Sequence, residues 1–169
     1  MNMGTKAALS VEEYLHTSFP DLDKEYRDGM LVDRTLPDYL HSKTQRLLIV
    51  FFALLGRTIP LHVSPELRLK IRENRYLIPD ISIFRGVEPS ASVPDQPPFI
   101  AIEILSPDDQ LPAVGEKLRE YRAWGVKFAW LFDPHSKRMY TWDARLTEVP
   151  TLRIPELGLD VTPADVFES

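Results

Sequence analysis

Phe99-Ile-Ala-Ile-Glu-Ile-Leu105 is an apolar run interrupted by a single charge, and the residues that follow it decide the fold. A continuous isoleucine-rich run of this kind reads as an interior strand, buried on both faces. A helical stretch from about Ala113 to Trp124 comes next and stops at Gly125. Phe128-Ala-Trp-Leu-Phe132 then reads as a second buried strand, closed by Asp133-Pro134. Strand, helix and strand over 99–132 predict a right-handed parallel crossover.

Working outward, Asp80-Ile-Ser-Ile-Phe84 is another interior strand, and Glu66 to Ile71 alternates polar and apolar residues as a half-buried strand does. The Pro- and Ser-rich stretch from Val87 to Pro98 is a loop between strands. Upstream, Pro37-Asp38 starts a helix from about Tyr39 to Leu55, whose apolar residues Leu40, Leu47, Leu48, Phe51, Leu54 and Leu55 keep the helical period until Gly56. Glu25 to Arg34 reads as a hairpin turning at Asp28-Gly29. Ser10-Val-Glu-Glu13 is a capping box opening a short helix, Val11 to Thr17. Downstream, Lys137 to Trp142 reads as the antiparallel neighbour of the second buried strand, and Pro163 starts a tail helix. The order predicts an α/β fold, a mixed β-sheet flanked by helices, as a single domain over residues 1–169.

The apolar fraction of 44% is ordinary for a globular chain, and no run reaches the roughly 18 to 20 apolar residues of a membrane span. Residues 1–13 hold no apolar stretch of signal-peptide length, so a cytoplasmic address is expected. With no cysteine, disulfides, Cys-zinc sites and thiol catalysis are excluded. A net charge of −5 argues against coating nucleic acid by bulk charge, though not against touching a few phosphates. Arg68, Lys70, Arg72 and Arg75 are close together, as are Lys117, Arg119 and Arg122; a solvated mixed-charge surface accounts for most of them.

Glu103 is the most informative residue, because an ionised carboxylate in so apolar a strand needs a cation or strong donors facing it. Two partners are on offer. One is a metal ion shared with Asp80 at the head of a neighbouring strand; the other is Lys117 in the crossover helix. Two carboxylates, the backbone carbonyl of Ile104 and waters form an all-oxygen site suited to Mg²⁺ or Mn²⁺. The plainer alternative is a Glu103–Lys117 ion pair with Asp80 as a turn residue after Pro79. Spacing alone leaves both open, since acids and lysines are common.

A longer motif series runs through the chain. It comprises Tyr76-Leu-Ile-Pro-Asp80-Ile-Ser-Ile, Pro98-Phe-Ile-Ala-Ile-Glu103-Ile-Leu-Ser-Pro107, Glu116-Lys117-Leu-Arg-Glu-Tyr121, Trp124-Gly-Val126 and Phe128-Ala-Trp-Leu-Phe-Asp-Pro134. With Glu25-Tyr-Arg-Asp-Gly29 and His41 upstream, it resembles the Uma family of restriction endonucleases in the PD-(D/E)XK superfamily. The resemblance implies a restriction-endonuclease-like core and a Mg²⁺-dependent endonuclease hydrolysing DNA. Asp80, Glu103 and Lys117 would be catalytic, with Asp80, Glu103 and the Ile104 carbonyl holding the metal. The superfamily pattern places lysine two residues after the glutamate, where this chain has Leu105; the resemblance implies that Lys117 supplies it from the helix. Ala113 also departs from an aspartate seen in relatives. Cutting both strands would suit a homodimer. The rival is a catalytically silent nucleic-acid-binding or oligomeric module that keeps the fold.

Other residues have two readings each. Glu25 is a supporting acid near the metal or a polar hairpin residue. His41, with Gln45 one turn on, contacts phosphate or is a surface histidine at a helix start, the commoner situation. Trp124, Trp130 and Trp142 could stack bases, but packing explains at least two better. Asp108-Asp109 reads as a turn before the helix. Neither a Gly-rich phosphate loop, a G-x-S-x-G elbow nor a helical His pair at zinc spacing is present.

Overall fold

The computed structural model describes residues 8–168; residues 1–7, where the segment read as lacking a signal sequence begins, and residue 169 lie outside them. The elements in order are α1 (Val11–Leu15), β1 (Glu25–Arg27), β2 (Met30–Val32), α2 (Tyr39–Leu55), β3 (Leu61–Pro65), β4 (Leu69–Arg72), β5 (Arg75–Leu77) and β6 (Ile81–Arg85). There follow β7 (Ile100–Ile104), α3 (Leu111–Trp124), β8 (Phe128–Asp133), β9 (Arg138–Trp142), β10 (Leu146–Val149), β11 (Leu152–Ile154), β12 (Leu159–Val161) and α4 (Pro163–Phe167). The architecture is mixed α/β, as expected.

The central sheet has six strands in the order β10-β9-β8-β7-β6-β3. Only β7 and β8, the two strands joined through α3, pair in parallel; β9 lies antiparallel to β8. Every residue of β7 is buried, as its isoleucine run predicts. One face of the sheet packs Ile81, Ile83, Ile100, Ile102, Trp130 and Phe132 against Leu48 and Phe52 of α2, with the β11–β12 ribbon and α4 completing that core. The other face packs Ala101, Ala129 and Leu131 against Val114, Leu118 and Tyr121 of α3. Each large apolar side chain buried in this way contributes about 1.5–3 kcal/mol, so α3 is seated by its own apolar stripe. A second sheet, β2-β1-β5-β4, is antiparallel throughout. Its β1–β2 hairpin turns at Asp28 (φ 52°) and Gly29 (φ 90°), the pair of left-handed residues a tight hairpin needs.

Several boundaries differ from the sequence expectation. The strand expected over Glu66 to Ile71 begins only at Leu69, because Glu66 has a φ of 49° and breaks the extended chain after β3. Both β3 and β5 went unanticipated. The hairpin's second strand ends at Val32 rather than reaching Arg34. The first helix ends at Leu15, and α3 starts at Leu111, with Pro112 in its first turn where a missing N–H costs nothing. Among the described residues, no helix is long and apolar enough to cross a membrane.

Candidate active site

Asp80 immediately precedes β6, which runs antiparallel to β7 with Ile81 opposite Ile102. The next step in that register sets Asp80 across from Glu103, at the C-terminal end of β7. Ile104 donates its backbone N–H to Oδ2 of Asp80 at 2.7 Å. A residue's N–H and C=O project to the same side of a strand, so the Ile104 carbonyl also faces the Asp80 side.

Lys117 arrives from α3. Its Nζ lies 2.8 Å from Oε1 of Glu103 and 2.8 Å from Oε1 of Glu25, and 3.4 Å from the carbonyl of Ile78. Tyr121, one turn further along the same face of α3, donates to Oε1 of Glu103 at 2.7 Å. Glu25 comes from β1, which pairs with β5 and so brings its carboxylate to the start of the β5–β6 link. It accepts the Ile78 N–H at 3.0 Å on Oε1 and the Arg27 guanidinium at 2.7 Å on Oε2. Asp80 is held from the other side. Its Oδ1 accepts from Arg34 at 3.1 Å, and His41 Nε2 stands 3.4 Å from Oδ2. Gln45 donates to the Asp80 carbonyl at 3.0 Å.

All of these charged side chains line one cleft of about 240 Å³, together with Glu66, Asp108, Asp109, Val32 at the end of β2 and residues 33–35 of the segment between β2 and α2. Glu25, His41, Asp80 and Glu103 are buried, each at most 7% exposed, so their charges are felt strongly. Burial pushes the Glu103 carboxyl up; Lys117 opposes this, Asp80 and Glu25 add to it, and the result is about 7. Burial acts on Asp80 in the same sense, but His41, Arg34 and Lys117 outweigh it and hold Asp80 below the usual carboxylate range. Glu25 is likewise held low against its burial by Lys117 and Arg27. Burial would lower Lys117, yet Glu103, Glu25 and Asp80 raise it, keeping the ammonium charged. His41 is raised as well: burial opposes its charge, and the bond to Asp80 more than offsets that.

The structure therefore brings Asp80, Glu103, Ile104, Lys117, Glu25 and His41 together. His41 is buried, which corrects its reading as a surface histidine: Asp38 caps α2 on the His41 N–H and the ring turns inward to Asp80. Glu25 lines the same cleft, with its oxygens engaged by Lys117, Ile78 and Arg27. Arg34 and Tyr121 were missed as site residues. Tyr121 was legible, standing four residues after Lys117 on one helix face; nothing in the sequence distinguished Arg34. None of the three tryptophans lines the cleft; Trp130 is core, and Trp124, the last residue of α3, and Trp142 pack on the core between α3 and the sheet. Asp109 does close a turn, accepting the Ser106 N–H at 2.7 Å, and also takes the Thr35 hydroxyl at 2.7 Å. The cluster of Arg68, Lys70, Arg72 and Arg75 is spent in ion pairs with Asp23, Glu73, Asp28 and Glu120.

The donor set fits a hard divalent cation: two carboxylates and a backbone carbonyl, all oxygen. Among the described residues, no three His, Asp or Glu side chains form a ready-made cage. The protein would thus offer two side-chain ligands and leave the other positions to backbone and water.

No curated protein matches the sequence. A crystal structure of a protein from Anabaena variabilis, described as a "putative nuclease belonging to DUF820", shares the fold with a TM-score of 0.79. It is 22% identical, and the match covers 94% of this chain and 97% of that one. The model of the Uma2 family, described as "Putative restriction endonuclease", matches residues 11–167, nearly the whole described chain, and the chain belongs to this family.

Proposed function

We propose that the chain is an endonuclease that hydrolyses DNA phosphodiester bonds with Mg²⁺ or Mn²⁺. The observation that carries the reading is the meeting of Asp80 and Glu103 at one sheet end, with the Lys117 ammonium 2.8 Å from Glu103. Asp80, Glu103 and the Ile104 carbonyl would hold the ion, whose chemistry is to polarise the phosphate and acidify a bound water. Lys117 carries a fixed positive charge to the place where the phosphorane becomes more negative. Glu25 keeps that ammonium in position, and Tyr121 fixes the Glu103 carboxylate against it. Arg27, Arg34 and Lys117 line the cleft, but so do Glu25, Asp33, Glu66, Asp80, Glu103, Asp108 and Asp109, so an anionic strand would depend on the bound cation's own charge. Two copies would be needed to cut both strands in one encounter.

The test is cleavage of supercoiled plasmid and labelled duplex with Mg²⁺ or Mn²⁺, using wild type, Asp80→Asn, Glu103→Gln and Lys117→Ala. Metal-dependent cleavage by the wild type and its loss in the three variants are expected. Cleavage that survives in all the variants would overturn the reading. A second reading, a silent module, draws on the charge balance already present, since Asp80 and Glu103 each face cations of the protein itself. Absence of Mn²⁺ binding up to millimolar concentration in calorimetry would favour it.

A further inference from the structure

Residues 33–38 join β2 to α2 as an irregular strap along the cleft. The strap is fastened beyond the site by the Thr35 hydroxyl on Asp109 at 2.7 Å and by Asp38 on His135 at 2.8 Å. Immediately before the first of these ties it carries Arg34, whose side chain is nine-tenths buried. The guanidinium donates through one nitrogen, Nη2, to Oδ1 of Asp80 at 3.1 Å and to Glu66 at 3.4 Å. Its other terminal nitrogen, Nη1, is buried and has no hydrogen-bond partner. A guanidinium prefers a forked pairing with both nitrogens engaged, so Arg34 is drawn to this seat by charge more than by fit.

The two oxygens of Asp80 are held differently. Oδ2 takes the Ile104 N–H at 2.7 Å, a backbone group fixed in β7, with His41 nearby. Oδ1 is held by Arg34, a side chain on a segment that neither a helix nor a strand constrains. A dication on Oδ1 and the guanidinium on the same atom would repel each other at close range in a low-dielectric cleft. Without any cation there, however, Asp80 would be a buried charge facing Glu103 and Glu25, which is costly.

We infer that Arg34 is a built-in stand-in for the divalent cation: it occupies Oδ1 of Asp80 while the metal position is empty and yields that oxygen when the cation binds. The inference rests on the metal-dependent reading above. It assigns Arg34 a positioning role, coupling occupation of the metal position to the placement of the strap's cation.

Calorimetric titration with Mn²⁺ of wild type, Arg34→Gln and Arg34→Lys tests it, alongside ¹⁵N spectra of the arginine side chains during a Mg²⁺ titration. Removing the competing charge should tighten Mn²⁺ binding by about tenfold in Arg34→Gln, while Arg34→Lys stays near wild type. The guanidinium signal missing from Arg34→Lys should shift in the wild type as Mg²⁺ saturates. Wild-type binding with equal or weaker affinity in Arg34→Gln, or a guanidinium signal unmoved at saturation, overturns the stand-in role and leaves the metal site intact. No binding by any of the three proteins overturns both. If Arg34→Gln fails to fold, the wild-type spectra and Arg34→Lys still decide the matter.

Discussion

Tyr121 donates its phenolic hydrogen to Oε1 of Glu103 at 2.7 Å, the same oxygen that meets Lys117. The tyrosine is fully buried, so no water can replace the bond if the hydroxyl is removed. Tyr121→Phe should therefore cost about 1.5–3 kcal/mol, the range for a hydrogen bond to a charged group. Urea unfolding at pH 8, with Glu103 ionised, measures it; an unchanged midpoint would contradict the bond's role.

Lys117 neutralises two buried acids at once. Lys117→Met should cost about 3–5 kcal/mol, because it strands Glu25 and Glu103 without their cation. Adding Glu25→Gln to that variant should recover part of the loss, with a coupling of about 0.5–3 kcal/mol in the double-mutant cycle. Strict additivity would mean that Glu25 does not act through Lys117.

Glu103 makes stability depend on pH. Its folded pKa is about 7 against an ordinary 4.5, so the folded protein binds this proton more tightly than the unfolded chain does. That contribution is complete below the unfolded value and is lost as the pH rises through the folded one. His41, also raised, acts in the same direction from its ordinary 6.5 upward. Asp80 and Glu25, held low, act in reverse, losing their contribution only as the pH falls through their folded values. Metal-free protein should thus lose stability between about pH 5 and about pH 8, and less steeply in Glu103→Gln. Mn²⁺ binding, which needs the ionised carboxylate, should strengthen about tenfold from about pH 6 to about pH 8. Parallel wild-type and Glu103→Gln stability curves would rule this out.

Gly125 ends α3 with a φ of 122°, and a Cβ there would lie 3.3 Å from Pro97 Cγ. Gly125→Ala should destabilise the fold by more than about 1 kcal/mol, since the backbone conformation is unsuited to a side chain. Thermal unfolding reads this directly.

The parts of the fold legible in the sequence are those whose side chains fix their own environment. The isoleucine run of β7, the aromatic run of β8 and the stop at Gly125 each admit one reading. By contrast β3, Leu-His-Val-Ser-Pro, mixes polar residues into a strand that is only half covered. β5, Arg-Tyr-Leu, is too short to show a period, and its pairing with β1 and β4 is what marks it as a strand. The same division holds in the site. Glu103 announced itself as a charge among isoleucines, whereas Asp80 and Lys117 needed the motif series. Arg34 stayed hidden because the position of an irregular segment follows from tertiary closure and leaves no periodic trace. His41 was misread because a helix start is usually exposed, and here the cleft wraps around it.

The seating of Lys117 by α3 also bears on how the protein can change over generations. Its height above Glu103 is set by Val114, Leu118 and Tyr121 lying against the sheet. In the linker of residues 105–110, Leu105 packs on that same cluster and Gln110 is the N-cap of α3, which leaves only residues 106–109 outside the seat. A residue gained or lost within 106–109 should therefore leave the ammonium in place. An insertion inside β7, in contrast, would turn Glu103 to the opposite face. A lysine two places along the strand, as the superfamily pattern has it, would share that fragility. Moving it onto a separately anchored helix leaves the rim of the cleft free to vary while the charged centre stays in register.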